Sequence, residues 1–271
     1  MKKVVVCLLV LAVAGVATAA VNVPAGLTGL WRFQTSADRL KATVGTDLVS
    51  VDEASTWMTG PWTDIGTEAQ HTLYSDNGIV QEQSYGYLQV NPGLHANGGG
   101  DYVNQYTVAI DYCQTQSGWN SLFQTSWDGR DSDGDLWIAP DGTIGVGDVG
   151  YSTMTFDPST WHRIVWSVDN SSFFDVYVDG VQFLHGAGQG VDDRFSLYPD
   201  RFNLFADNDW EDMWGLVGTA AVWDHALTSD EVAGMGGWIG TATMPTPLII
   251  PEPATMTLLV LGGLGLIRRS K

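Results

Sequence analysis

Basic side chains are scarce in this chain: 12 Lys and Arg stand against 31 Asp and Glu, a formal net charge of −19 at pH 7. Five of the bases (Lys2, Lys3, Arg268, Arg269, Lys271) lie in the two end segments, and of the acids only Glu252 does. The middle therefore carries seven bases against 30 acids. Such a surface repels phosphate backbones and anionic lipid, and it raises the local concentration of cations. A nucleic-acid role needs a basic face and is excluded on this ground. Cysteine is nearly absent, with only Cys7 and Cys113. Cys113 sits in an alternating apolar run and reads as a small buried hydrophobe. Long apolar runs are missing as well: residues 4–13 and 254–267 both fall short of the roughly 17–25 residues of a standard membrane span. No internal repeat at solenoid or propeller spacing is found.

What is present is most specific at the two ends. Lys2 and Lys3 precede the apolar run, and small residues follow up to Ala17-Thr18-Ala19-Ala20. This order is that of a secretory signal peptide over residues 1–20, cleaved after Ala19 or Ala20. Cys7 would leave with it, so Cys113 has no partner for an internal disulfide. At the other end, Pro245, Pro247, Pro251 and Pro253 stiffen a Pro/Thr linker over residues 241–250 and the segment after it. An apolar run over 254–267 follows, closed by Arg268, Arg269 and Lys271. Such an order halts in a membrane with its basic end on the cytoplasmic side. The motif Pro251-Glu252-Pro253, the apolar stretch and the terminal Arg268-Arg269 together resemble a PEP-CTERM sorting signal over residues 251–271. That resemblance implies transient insertion in the inner membrane and processing by an exosortase-type peptidase. It further implies delivery to the cell surface or an extracellular matrix. A plain tail anchor is the alternative, and it would keep the chain in the membrane.

Residues 21–240 carry the signals of one all-β domain. Tyr106-Thr107-Val108-Ala109-Ile110-Asp111-Tyr112 alternates with period two, as do residues 161–169 and 174–178. The register puts Ile164, Trp166, Val168, Phe174, Val176 and Val178 on one core-facing side. Asp179-Gly180 predicts a type I′ hairpin turn, because both residues tolerate positive φ. Asp141-Gly142 predicts a second one. Further strands are expected at residues 30–34, 87–90, 121–125, 201–206 and 214–223. Thr228-Ser229-Asp230-Glu231 is a capping box that starts one short helix. Trp31, Trp161, Trp166 and Trp223 lie in strand patterns and belong to the core. Trp57, Trp62, Trp119, Trp127 and Trp210 lie near turn residues and are candidates for exposure; Trp127 and Trp210 are the candidate glycan-stacking rings.

In order, these segments resemble the laminin G-like, concanavalin A-like jelly roll, an antiparallel sandwich. The residues that carry the resemblance are Gly29-Leu30-Trp31-Arg32-Phe33, the strand through Tyr106, the Trp161–Gly180 hairpin, and the closing stretch from Gly218 through Trp223 to Val232. The fold hosts lectins, adhesion modules and glycoside hydrolases, so it leaves function open.

Laminarinase-like hydrolases of this fold carry Glu-x-Asp-x-x-Glu on one strand, as nucleophile and acid/base. The six glutamates here (Glu53, Glu68, Glu82, Glu211, Glu231, Glu252) include none with Asp two positions on. Gly-x-Ser-x-Gly and His-Glu-x-x-His are absent, and the five histidines lack metal-ligand spacing. The chain is therefore expected to be non-catalytic, binding a glycan or another surface protein. A secreted glycoside hydrolase with an unrecognised carboxylate pair is the alternative, and a structural matrix component the third option. Two acidic loops are candidate structural Ca²⁺ sites, because oxygen-rich clusters without His or Cys suit a hard cation. The first choice is Asp207, Asp209 and Glu211, joined by Asp101 from another loop; the second is Asp131, Asp133 and Asp135. The same loops also read as solvated acidic turns.

Overall fold

The computed structural model describes residues 23–32, 40–51, 55–60, 70–75, 87–114, 117–125, 135–155, 157, 158, 160–206 and 215–237. In chain order the strands begin with β1 (Leu27–Arg32), β2 (Ala42–Val44), β3 (Val49–Val51), β4 (Ser55–Gly60), β5 (Gln70–Ser75) and β6 (Tyr87–Val90). They continue with β7 (Gln105–Gln114), β8 (Asn120–Gln124), β9 (Asp135–Ile138), β10 (Ile144–Val146) and β11 (Gly150–Tyr151). The last are β12 (Trp161–Asp169), β13 (Phe173–Val178), β14 (Val181–Ala187), β15 (Phe202–Leu204) and β16 (Gly215–Trp223), and the helix α1 (Ser229–Gly234) follows.

Two antiparallel sheets form. One runs β14-β13-β12-β7-β16-β1-β2, with β5 also on β16 and β4 on β5; the other runs β11-β10-β9-β8-β15-β6-β3. The alternating runs account for the pairing. Ile164 stands opposite Ile110 and Val178, and Trp166 opposite Val108 and Val176, so one face of three neighbouring strands is apolar throughout. All six residues expected on that face are buried in the core between the sheets. Aromatic rings join the layers: Phe123 of β8 lies 5.2 Å from Trp166 of β12 and 6.2 Å from Tyr106 of β7, centroid to centroid.

The opposite face of the larger sheet is buried too. Leu30, Ala109, Val165, Tyr177, Ala221 and Trp223 pack under Leu227, Val232 and Met235, making a second, smaller core beneath α1. The capping box forms as its spacing requires: Thr228 Oγ1 accepts from the Glu231 backbone N–H, and the Glu231 carboxylate accepts from Thr228. Trp31, Trp161, Trp166 and Trp223 are all buried, and so is Cys113.

Several local expectations shift. Asp179 and Gly180 both have positive φ, 52° and 79°, as a type I′ turn demands. Asp141-Gly142 does not make such a turn. Pro140 takes the first central position, where its ring fixes a negative φ; Gly142 N–H donates to Ala139 O at 2.9 Å, and only Gly142 is left-handed, at φ 83°. The loop is thus one residue longer than expected. The first strand starts at Leu27 rather than residue 30, and β15 is confined to Phe202–Leu204 because Phe205 turns to φ 59°.

Candidate functional site

The end of the smaller sheet brings together two large aromatic side chains that stay on the surface. Trp119, just before β8, is 39% exposed, and Tyr151, on the edge strand β11, is 36% exposed. Their ring centroids lie 6.0 Å apart with an interplanar angle of 66°, so they form a corner, not a flat platform. Ala139, Pro140, Asp141 and Thr143 from the β9–β10 loop complete a groove of about 420 Å³. That volume falls within the range of small-ligand sites.

Four strands set this geometry. Asn120 pairs with Ile138, Ile138 with Ile144, and Gly145 with Tyr151, so the register alone fixes where residues 119 and 151 fall. The Asn120 side chain is buried and donates to the Tyr112 hydroxyl, which anchors the start of β8. Gly145 admits the edge strand: a Cβ there would meet the Gly150 carbonyl oxygen at 2.2 Å. The Ser152 hydroxyl accepts from Ile144 N–H at 3.0 Å and donates to Met154 O at 2.6 Å, tying down the chain after Tyr151.

The loop that supplies the polar groups is equally held. Asp141 Oδ1 accepts from Thr143 N–H at 3.0 Å and from the Thr143 hydroxyl at 2.7 Å. These bonds keep the exposed Asp141 carboxyl below the usual carboxylate range, so it is an anion at neutral pH. Both use Oδ1, which leaves Oδ2 to accept from an outside donor. Apolar ring faces beside one ionised carboxylate and a threonine are the chemistry of a site for a hydroxyl-bearing ligand.

Trp119 was legible in the sequence as a candidate for exposure. Tyr151, Asp141 and Thr143 were not, because only the four-strand register brings them to it. The stacking candidates Trp127 and Trp210 lie outside the described residues, as do Asp207, Asp209, Glu211, Asp131 and Asp133. Pro251, Glu252, Pro253, Arg268 and Arg269 lie outside them too. Asp135 is buried at the start of β9, opposite Gln124. Asp101 is exposed, and its backbone N–H donates to Asp192 Oδ2 at 2.7 Å. Among the described residues no three His, Cys, Asp or Glu side chains gather as metal ligands would. Within the same residues no helix is long and apolar enough to cross a membrane.

A second polar group invites a catalytic reading. His162 Nδ1 lies 2.7 Å from Asp179 Oδ2, and its Nε2 lies 2.7 Å from Thr160 Oγ1. The Thr160 hydroxyl, however, donates to the Asp157 carbonyl at 2.7 Å, and Asp179 Oδ1 accepts from Arg163 N–H at 2.9 Å. With its proton on a backbone oxygen, Thr160 is not poised to pass it to the imidazole. The group pins the β13–β14 turn against the start of β12.

Residues 100–233 match the family described as the concanavalin A-like lectin/glucanases superfamily. No curated protein matches the sequence. Among solved structures, domain 4 of AbnA, a GH43 extracellular arabinanase from Geobacillus stearothermophilus in complex with arabinotriose, is similar at 17% identity and a TM-score of 0.53; the match covers 78% of this chain and 98% of that domain. Trypanosoma rangeli sialidase in complex with sialic acid is similar at 15% identity and a TM-score of 0.54, over 79% of this chain but only 33% of the sialidase. At these identities the likeness speaks for architecture alone. Two antiparallel sheets, the short helix after the closing strand and these matches make the fold a concanavalin A-like jelly roll.

Proposed function

We propose that this chain is an exported, non-catalytic surface or matrix module that binds glycan through the Trp119–Tyr151 groove. The observation that carries the reading is the aromatic corner itself. Two large rings remain exposed at one end of the smaller sheet, in one groove with an ionised carboxylate and a threonine. Sugar rings present apolar C–H faces and a rim of hydroxyls, and such a corner meets both needs. The arabinanase domain of the same fold, in complex with arabinotriose, supports the choice of an oligosaccharide over a protein partner.

A binding role fits the groove better than hydrolysis does. Glycoside cleavage takes two carboxyl groups flanking the scissile bond, about 5–9.5 Å apart. Among the described residues lining the groove, Asp141 is the one carboxylate. The ordered blocks at residues 251–271 support export, transient membrane insertion and exosortase-type processing. Mass spectrometry of the surface-located protein should find no peptide beyond Pro253; intact Arg268-Arg269 there would refute that part.

A glycan array probed with the full chain and with Trp119→Ala tests the binding role. Wild-type binding that the substitution removes is expected, with no release of reducing sugar from the bound polysaccharide. An array with no binding, or binding indifferent to Trp119, overturns the assignment.

A further inference from the structure

We infer that the groove selects neutral glycans and rejects acidic ones; this rests on the glycan reading above and adds the ligand class. The argument is one of charge and shape. Among the described residues the groove is lined by Trp119, Ala139, Pro140, Asp141, Thr143 and Tyr151, and none of these is basic. Among the described lining residues the single charge is the Asp141 carboxylate, held in its ionised form by the N–H and hydroxyl of Thr143. Its Oδ2 accepts a sugar hydroxyl in a charge-assisted bond, which is short and strong. A uronate or sialate carboxylate in the same place would meet a like charge, with no cation among the described lining residues to offset it. The middle of the chain extends the same field, with seven bases against 30 acids.

The corner limits how a ligand sits. With the rings at 66°, a sugar that lies flat on one ring cannot lie flat on the other. The β9–β10 loop lines the same groove, so substituents on the sugar's rim come within reach of Asp141 and Thr143. A neutral ring meets no such repulsion, and a hydroxyl on its rim can donate to the carboxylate.

Calorimetry of the full chain with neutral and acidic trisaccharides tests this. The neutral probes are arabinotriose, xylotriose and cellotriose; the acidic ones are trigalacturonate and sialyllactose. At least one neutral probe should bind, and the acidic probes should bind about tenfold more weakly or worse at low salt. Asp141→Asn keeps the Oδ1 acceptor that holds the loop while removing the charge. It should narrow the gap, and so should 0.5 M salt, roughly a Debye length under 5 Å. Acidic probes that bind as tightly as neutral ones, through a site that Trp119→Ala abolishes, overturn the neutral-ligand inference and leave the glycan reading standing. No binding by any probe, or binding unaffected by Trp119→Ala in a variant whose circular dichroism matches wild type, overturns both.

Discussion

The guanidinium of Arg163 grips the carboxylate of Asp111 across β12 and β7 through two bonds, Nε to Oδ1 at 2.7 Å and Nη2 to Oδ2 at 3.0 Å. Each side chain is only 2% exposed. Nη1 reaches further, to the carbonyl of Met235 at the end of α1, at 2.8 Å. Burial pushes the Asp111 carboxyl up, against the pull of the guanidinium. Together these contacts fix where the helix lies on the sheet. A buried pair of this kind adds little net stability over an apolar substitute, but breaking one half leaves a stranded charge. Arg163→Met should therefore cost about 3–5 kcal/mol in urea unfolding, and adding Asp111→Leu should recover much of the loss. A double variant no more stable than the single one would show that the loss comes from packing.

Val176 tests the main core. It is fully buried on β13, with Trp166 opposite on one side and Leu184 on the other. Val176→Asp places an unpaired carboxylate between them and should cost about 3–5 kcal/mol, a large share of the stability of a domain. A urea midpoint near that of wild type would mean that this face is not the core.

The central strands could be read from the sequence because their alternation is strict. Ile164, Trp166 and Val168 repeat with period two, and so do Phe174, Val176 and Val178, which leaves one register in which both sets share a face. The other face of the same strands was harder to read. Thr107, Ala109 and Asp111 point away from that core, and all three are buried, because residues 224–235 fold back over them. A polar residue in a strand signals solvent only if nothing later in the chain supplies it with a partner, and here Arg163 and the carbonyl of His225 do. The groove was half legible for a similar reason. Exposure of Trp119 follows from its Gly-Trp-Asn setting, but Tyr151 reaches it only through three successive strand pairings, and Pro140 reshapes the loop between them.

Asp192 gives the fold a defined acid sensitivity. Its carboxylate joins two loops, accepting from Asn104 Nδ2 at 2.8 Å, Asp101 N–H at 2.7 Å and Tyr102 N–H at 3.0 Å. Burial works against the ionised form, but the bonds from Asn104, Asp101 and Tyr102 outweigh it and hold the carboxyl below the usual range. A carboxyl lowered on folding contributes in full above its unfolded value, about 3.9, and that contribution is lost as pH falls through the folded value. Asp192→Asn removes the charge while tolerating the left-handed φ of 58° at this position. Wild type should thus unfold at a higher temperature than the variant at pH 7, and the difference should shrink below about pH 4. A difference that stays constant down to pH 2 would show that the charge is not what holds the loops.

Cys113 lies on β7 opposite Trp161 and Leu216 and is 5% exposed. Burial pushes its thiol up to about 12, so almost none of it is thiolate at pH 8. Alkylating reagents attack the thiolate, and they also need access that two flanking strands deny. Native protein treated with iodoacetamide at pH 8 should show Cys113 unmodified by mass spectrometry, while the same protein in urea should be labelled there within minutes. Prompt labelling of the native chain would contradict both the burial and the raised pKa, and would reopen a chemical role for the thiol. Unreactive, it does in β7 what an alanine or valine would do, and its sulfur contributes volume to the sheet and no chemistry to the groove.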